Sequence, residues 1–121
     1  KLLKAALFVV SLNASANVVA TPSYWNFGDV PPGQSAMVTI QFINTSAAPI
    51  PSFTASCSGD FSAFSCFSSC YSLPAHGSCA VQVRFIPRNG DGLTRTLWVN
   101  GFGGGSYSSA TVVGTEAKMR D

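Results

Sequence analysis

The residues of this 121-residue chain whose types could do chemistry are four cysteines, one histidine and two glycine-rich runs. Cys57, Cys66, Cys70 and Cys79 share one short window. Cys66-x3-Cys70 has a ligand-like spacing, and four thiolates can hold zinc. The window lacks the paired Cys-x2-Cys knuckles of zinc ribbons, however, and strand residues follow Cys79 directly. An even cysteine count in a short chain reads instead as two disulfides and an oxidising compartment. Two pairings compete: Cys57–Cys66 with Cys70–Cys79, or Cys57–Cys70 with Cys66–Cys79. Loop entropy does not choose between them, since each bridge stabilises by roughly 3 kcal/mol either way. The sequential pairing is preferred because Cys70 and Cys79 flank Leu73-Pro74 and Gly77, a compact turn able to bring them together.

His76 stands alone in Pro74-Ala-His-Gly77 and reads as a solvated turn residue. A Ser-His-Asp triad would need a nucleophile on a strained elbow, which this sequence lacks. Gly101-Phe-Gly-Gly-Gly105 has no following helix or lysine to cradle phosphate and reads as a hairpin tip carrying Phe102. Asn89-Gly-Asp-Gly92 offers one carboxylate, too few oxygens for calcium, and reads as a hairpin turn. Asn44 opens a glycosylation sequon but is better explained as a strand-end residue starting a turn. No catalytic residue, metal or cofactor is expected.

These residues are positioned by short alternating segments. Val38, Ile40 and Phe42 alternate with Thr39 and Gln41, and Val81, Val83 and Phe85 alternate with Gln82 and Arg84. A period of two puts one face in a core and the other in water. Strands are expected over residues 18–27 (broken at Pro22), 36–43, 50–55, 61–64, 80–86, 93–99 and 107–113, with a loop over 100–106. Phe27, Val38, Ile40, Phe42, Val81, Val83, Phe85, Leu97 and Val99 are expected to face inward. The pattern is all-β, a small sandwich of residues 17–116 followed by a tail of residues 117–121.

Only 10% of the residues are charged, against roughly 25% in an ordinary soluble domain. The formal net charge of +2 resides at the ends, in Lys1, Lys4, Lys118 and Arg120. Between them Arg84, Arg88 and Arg95 face Asp29, Asp60, Asp91 and Glu116, an excess of one acid. No basic stripe is present to neutralise phosphates, which argues against nucleic acid as a partner.

Phe27-Gly-Asp-Val30, a Pro-Gly turn, a strand ending Phe42-Ile-Asn-Thr45, and Gly77-Ser-Cys-Ala-Val81 continuing through Val83, Phe85, Pro87, Gly92 and Leu97 resemble the ASPM-SPD-2-Hydin type of immunoglobulin-like domain. The similar module of bacterial secreted proteins is called choice-of-anchor D. The resemblance covers residues 18–116. It implies a seven-stranded immunoglobulin-like β-sandwich that serves as a spacer or interaction module, without catalytic residues.

Residues 1–16 combine two lysines, an apolar run and Ala14-Ser-Ala16, the pattern of a secretory signal. The run is too short to span a bilayer, so no stable membrane insertion is expected. Alternatively the segment is an apolar extension that docks on another copy through Leu3, Leu7, Phe8, Val9, Val10 and Leu12. By alternation from Leu97 and Val99, Trp98 faces outward, as a candidate protein contact, a core-edge residue or a sugar platform, and Phe102 is a second candidate protein contact. The expected function is therefore a non-catalytic protein of the cell exterior or periplasm. It self-associates into a filament, by strand donation or through these aromatics, or else binds carbohydrate or a surface protein.

Overall fold

The computed structural model describes residues 17–118, which form eight strands: β1 Val18–Thr21, β2 Tyr24–Val30, β3 Ala36–Asn44, β4 Thr54–Gly59, β5 Phe64–Ser68, β6 Ser78–Phe85, β7 Thr94–Gly103 and β8 Ser106–Glu116. They make two four-stranded sheets, ordered β1-β3-β6-β5 and β2-β8-β7-β4. The count is eight rather than seven because the first strand is split at Pro22, after a cis Thr21–Pro22 bond. Its first half pairs antiparallel with β3 and its second half runs parallel to β8 in the opposite sheet. The residues 1–16 assigned to a signal or an assembly arm, including Leu3, Leu7, Phe8, Val9, Val10 and Leu12, lie outside the described residues.

The core follows from the alternation. Ile40, Phe42, Val81, Val83, Phe85, Leu97 and Val99 are fully buried between the sheets, while Phe27 and Val38 pack against that cluster from its margin. Phe85 stacks on Phe27 with centroids 5.8 Å apart and tilts against Phe64 at 4.9 Å. Phe42 and Phe53 form a second aromatic pair at 5.5 Å.

Four sequence expectations are corrected. Residues 50–53 are not strand: Pro51 cannot donate to a ladder, Ile50 instead bridges Leu73 across the end of the sandwich, and β4 begins at Thr54. The short strand placed at 61–64 starts only at Phe64, because Asp60 accepts hydrogen bonds from the backbone and hydroxyl of Ser62 and turns the chain there. Residues 89–92 do not close a hairpin, since β6 and β7 lie in different sheets and this loop crosses between them. Residues 100–103 are not loop: β7 continues to Gly103, and the turn is confined to Gly104 and Gly105, whose φ values of 59° and 77° suit a two-residue hairpin.

Gly101 explains how β7 continues. A Cβ there would sit 2.7 Å from Phe53 Cζ and 2.8 Å from Phe42 Cε1, so only a bare backbone can cover this aromatic pair. Gly101→Ala is expected to lower unfolding free energy by about 1–3 kcal/mol through overpacking. Denaturant titration reads it, and an unchanged midpoint would mean that the Phe42–Phe53 pair does not fill this space.

The sulfurs pair sequentially, Cys57 with Cys66 and Cys70 with Cys79. Cys57 lies on β4 and Cys66 on β5, so the first bridge ties one sheet to the other along an open edge. The second closes the turn that carries Leu73 and His76. Two such bridges belong to an oxidising environment.

Candidate functional site

Cross-strand partners in a sheet project to the same side, and alternate residues share a face. Those two rules assemble the outer surface of β2-β8-β7-β4. With Leu97, Val99 and Gly101 turned inward, Trp98, Asn100 and Phe102 point out along β7. Trp98 is flanked by Thr111 and Ser58, with Tyr24 beyond Thr111. Asn100 is flanked by Ser109 and Ser56, and Phe102 by Tyr107 and Thr54. Tyr24, Trp98, Phe102 and Tyr107 are 57%, 45%, 46% and 65% exposed, so four aromatic side chains stand on one sheet face. Trp98 and Phe102 are four residues apart on one strand, about 13 Å.

The face is ordered by its own contacts. The Tyr107 hydroxyl donates to Asn100 Oδ1 at 2.9 Å, fixing a tyrosine ring beside Phe102. Trp98 leans over Gly59, where a Cβ would lie 3.2 Å from its Cε3. Positions around Trp98, Asn100 and Phe102 carry hydroxyl and amide groups and no charge. Asp29, paired with Thr115, is the acid at the far end of the face.

Sequence reasoning placed Trp98 and Phe102 but did not join them. It treated Asn100 as loop and did not single out Tyr24 or Tyr107. The missed signal was the alternation itself, which runs on through Gly101. The other exposed aromatics are dispersed. Phe61 lies in the turn between β4 and β5, Phe67 stands on the opposite sheet beside Gln82, Tyr71 follows the Cys70 bridge, and Trp25 packs edge-on against Phe27 at 6.4 Å.

A second cluster was also missed. Ala110, Val112 and Gly114 alternate inward along β8, and Glu116 continues the series, 1% exposed. Its Oε1 accepts from the backbone N–H groups of Arg88, Asn89 and Gly90 at 3.2, 2.6 and 2.9 Å. Its Oε2 accepts from Arg95 Nε at 2.9 Å, and Arg95 also pairs with Asp60 at 3.2 Å and Asp91 at 2.7 Å. Burial alone would raise the Glu116 carboxyl, but the bonds from Gly90, Asn89 and Arg95 outweigh it and hold it below the usual carboxylate range. The Ser62 hydroxyl, with a smaller contribution from Arg95, lowers Asp60 in the same way. Every polar atom of this cluster has a structural partner, so it fastens the inter-sheet crossing rather than offering groups to a substrate.

His76 is exposed in its turn, at φ 59°, with its N–H donating to Ser46 O at 3.1 Å. Asn44 is fully buried: its amide donates to Ala48 O at 2.8 Å and Pro74 O at 3.2 Å, and its Oδ1 accepts from Ser46. It opens the turn after β3, and its nitrogen is closed to a glycan once the domain has folded. Among the described residues no three His, Cys, Asp or Glu side chains gather at metal-binding distance.

The family model described as Abnormal spindle-like microcephaly-assoc'd, ASPM-SPD-2-Hydin (ASH) matches residues 15–108. The chain belongs to the ASH family. Solved structures of the same fold include the ASH/PapD-like domain 7 of human CEP192, with a TM-score of 0.62 at 17% identity over 88% of this chain and 89% of that one. A protein of unknown function from Porphyromonas gingivalis W83 gives 0.61 at 13% identity over 84% of this chain, which spans about half (48%) of that protein. An endo-fucoidan hydrolase of glycoside hydrolase family 107 gives 0.57 at 11% identity over 88% of this chain but only 14% of the hydrolase. No curated protein sequence matches the chain. An ASH domain is typically a non-catalytic module, and where the fold occurs in the hydrolase it is a small part of a much larger chain.

Proposed function

We propose that this ASH domain is a non-catalytic binding module of the cell exterior or periplasm that docks its partner on the outer face of β2-β8-β7-β4. The observation that carries this reading is the gathering of Tyr24, Trp98, Phe102 and Tyr107 on one uncharged stretch of sheet. Half-exposed aromatics combine large apolar area with little conformational freedom to lose, which suits them to recognition. The two disulfides support an extracellular or periplasmic setting.

The test is a Trp98→Ala/Phe102→Ala double variant. Each substitution is expected to cost about 1–2 kcal/mol of stability, from the half of each ring that packs on the sheet, and to leave the domain folded. Adhesion of the labelled chain to intact cells of its source, together with self-association in sedimentation, should fall sharply. Unchanged adhesion and self-association would refute the reading.

Self-assembly through residues 1–16 is a second reading, favoured by one observation: β1, the strand next to that segment in sequence, is an edge strand of its sheet. The sandwich core is already filled by residues 17–118, so such an arm would add along an edge rather than complete a groove. Head-to-tail addition does not close on itself and gives filaments. Removing residues 1–16 from chain that retains them should then leave a folded monomer. Polymers that persist after removal would discard the arm.

A further inference from the structure

We propose that the occupant of this face is a neutral oligosaccharide lying along β7, its rings stacked on Trp98 at one station and on Phe102 and Tyr107 at the other. Its hydroxyls would bond to the intervening Ser56–Asn100–Ser109 row. The inference deepens the proposed function and rests on it.

The layout of the face selects the chemistry. A protein docking site concentrates its aromatics in one desolvated centre. Here the two aromatic stations stand about 13 Å apart along the strand, and the row between them consists of two serines and an asparagine. That alternation matches a glycan, whose apolar ring faces are bordered by hydroxyls. The separation exceeds one sugar ring, so an oligosaccharide is required to reach both stations. Charge narrows the class further. The rows of Trp98, Asn100 and Phe102 hold no Lys or Arg to pair with a uronate or sulfate. The platform is also preformed: Tyr107 is held by Asn100, and Gly59 leaves room for the indole to lean on the sheet. Little ordering therefore accompanies binding.

Affinity electrophoresis of the full chain tests this, through gels carrying neutral polysaccharides (β-glucan, xylan, galactomannan) or anionic ones (alginate, polygalacturonate). The chain should be retarded by at least one neutral polymer, equally at low and high salt. Trp98→Ala and Phe102→Ala should each weaken that retention about tenfold or more, and Trp98→Phe should restore part of it. Met37→Ala, on the outer face of the other sheet, should not change it. Retention by no neutral polymer, retention only by anionic polymers with loss in salt, or retention undiminished by Trp98→Ala would each overturn the proposal. If no neutral polymer is bound but the double variant still loses cell adhesion, the glycan assignment alone fails. If the variant also adheres normally, the docking face fails with it.

Discussion

Replacing Phe85 with alanine is expected to remove about 3–5 kcal/mol of stability, a large share of the roughly 5–15 kcal/mol that holds a typical domain folded. Phe85 is fully buried and joins three parts of the sandwich. Its ring stacks on Phe27 of β2 at an interplanar angle of 9° and tilts against Phe64 of β5. Beneath it lies Gly114 of β8, where even a Cβ would come within 2.6 Å of the ring. The stack spans both sheets and its floor is bare backbone, so a cavity is expected to remain where the ring was. Urea or guanidinium unfolding measures the loss. A change below about 1 kcal/mol would mean that the core closes over the cavity and that this stack does not hold the sheets together.

Glu116→Gln carries the second large effect. Gln keeps the shape but removes the charge that answers Arg95 and the three N–H groups of residues 88–90. A loss of about 3 kcal/mol at neutral pH is expected, because charged hydrogen bonds in a buried site are exchanged for weaker neutral ones. The dependence on pH has a definite sign. The folded-state carboxyl titrates below its unfolded value, so its contribution is complete above about pH 4–5 and is lost as pH falls through the folded value. The gap between parent and variant should therefore narrow in acid as the parent's own carboxylate is protonated. A gap independent of pH would show that the carboxylate charge is not what fastens the crossing.

Much of this architecture is legible in the chain. Val38 to Phe42 and Val81 to Phe85 reveal their buried faces because apolar and polar residues alternate without interruption. The cysteine pairing follows from a compact turn between Cys70 and Cys79. Reading fails where glycine or a charge replaces an inward apolar residue. Gly101 interrupts the hydrophobic series of β7 because Phe42 and Phe53 already occupy the volume a side chain would need, so the strand looks like a loop and Asn100 is lost from the site. Glu116 sits at an inward position of β8, but only the fold brings Arg95 and the backbone of residues 88–90 to meet it. Pro51 and Asp60 shift strand starts through local hydrogen bonding that alternation does not register.

The central claim is that the face built on β7 is where this domain meets its partner. Amide and side-chain NMR shift mapping of the full chain tests it most directly, recorded along a dilution series and in titration with neutral oligosaccharides. The account predicts perturbations gathered on Tyr24, Ser56, Trp98, Asn100, Phe102, Tyr107 and Ser109. Perturbations gathered instead on the opposite sheet around Met37, Thr39, Phe67 and Arg84, or absent from both series, would contradict it.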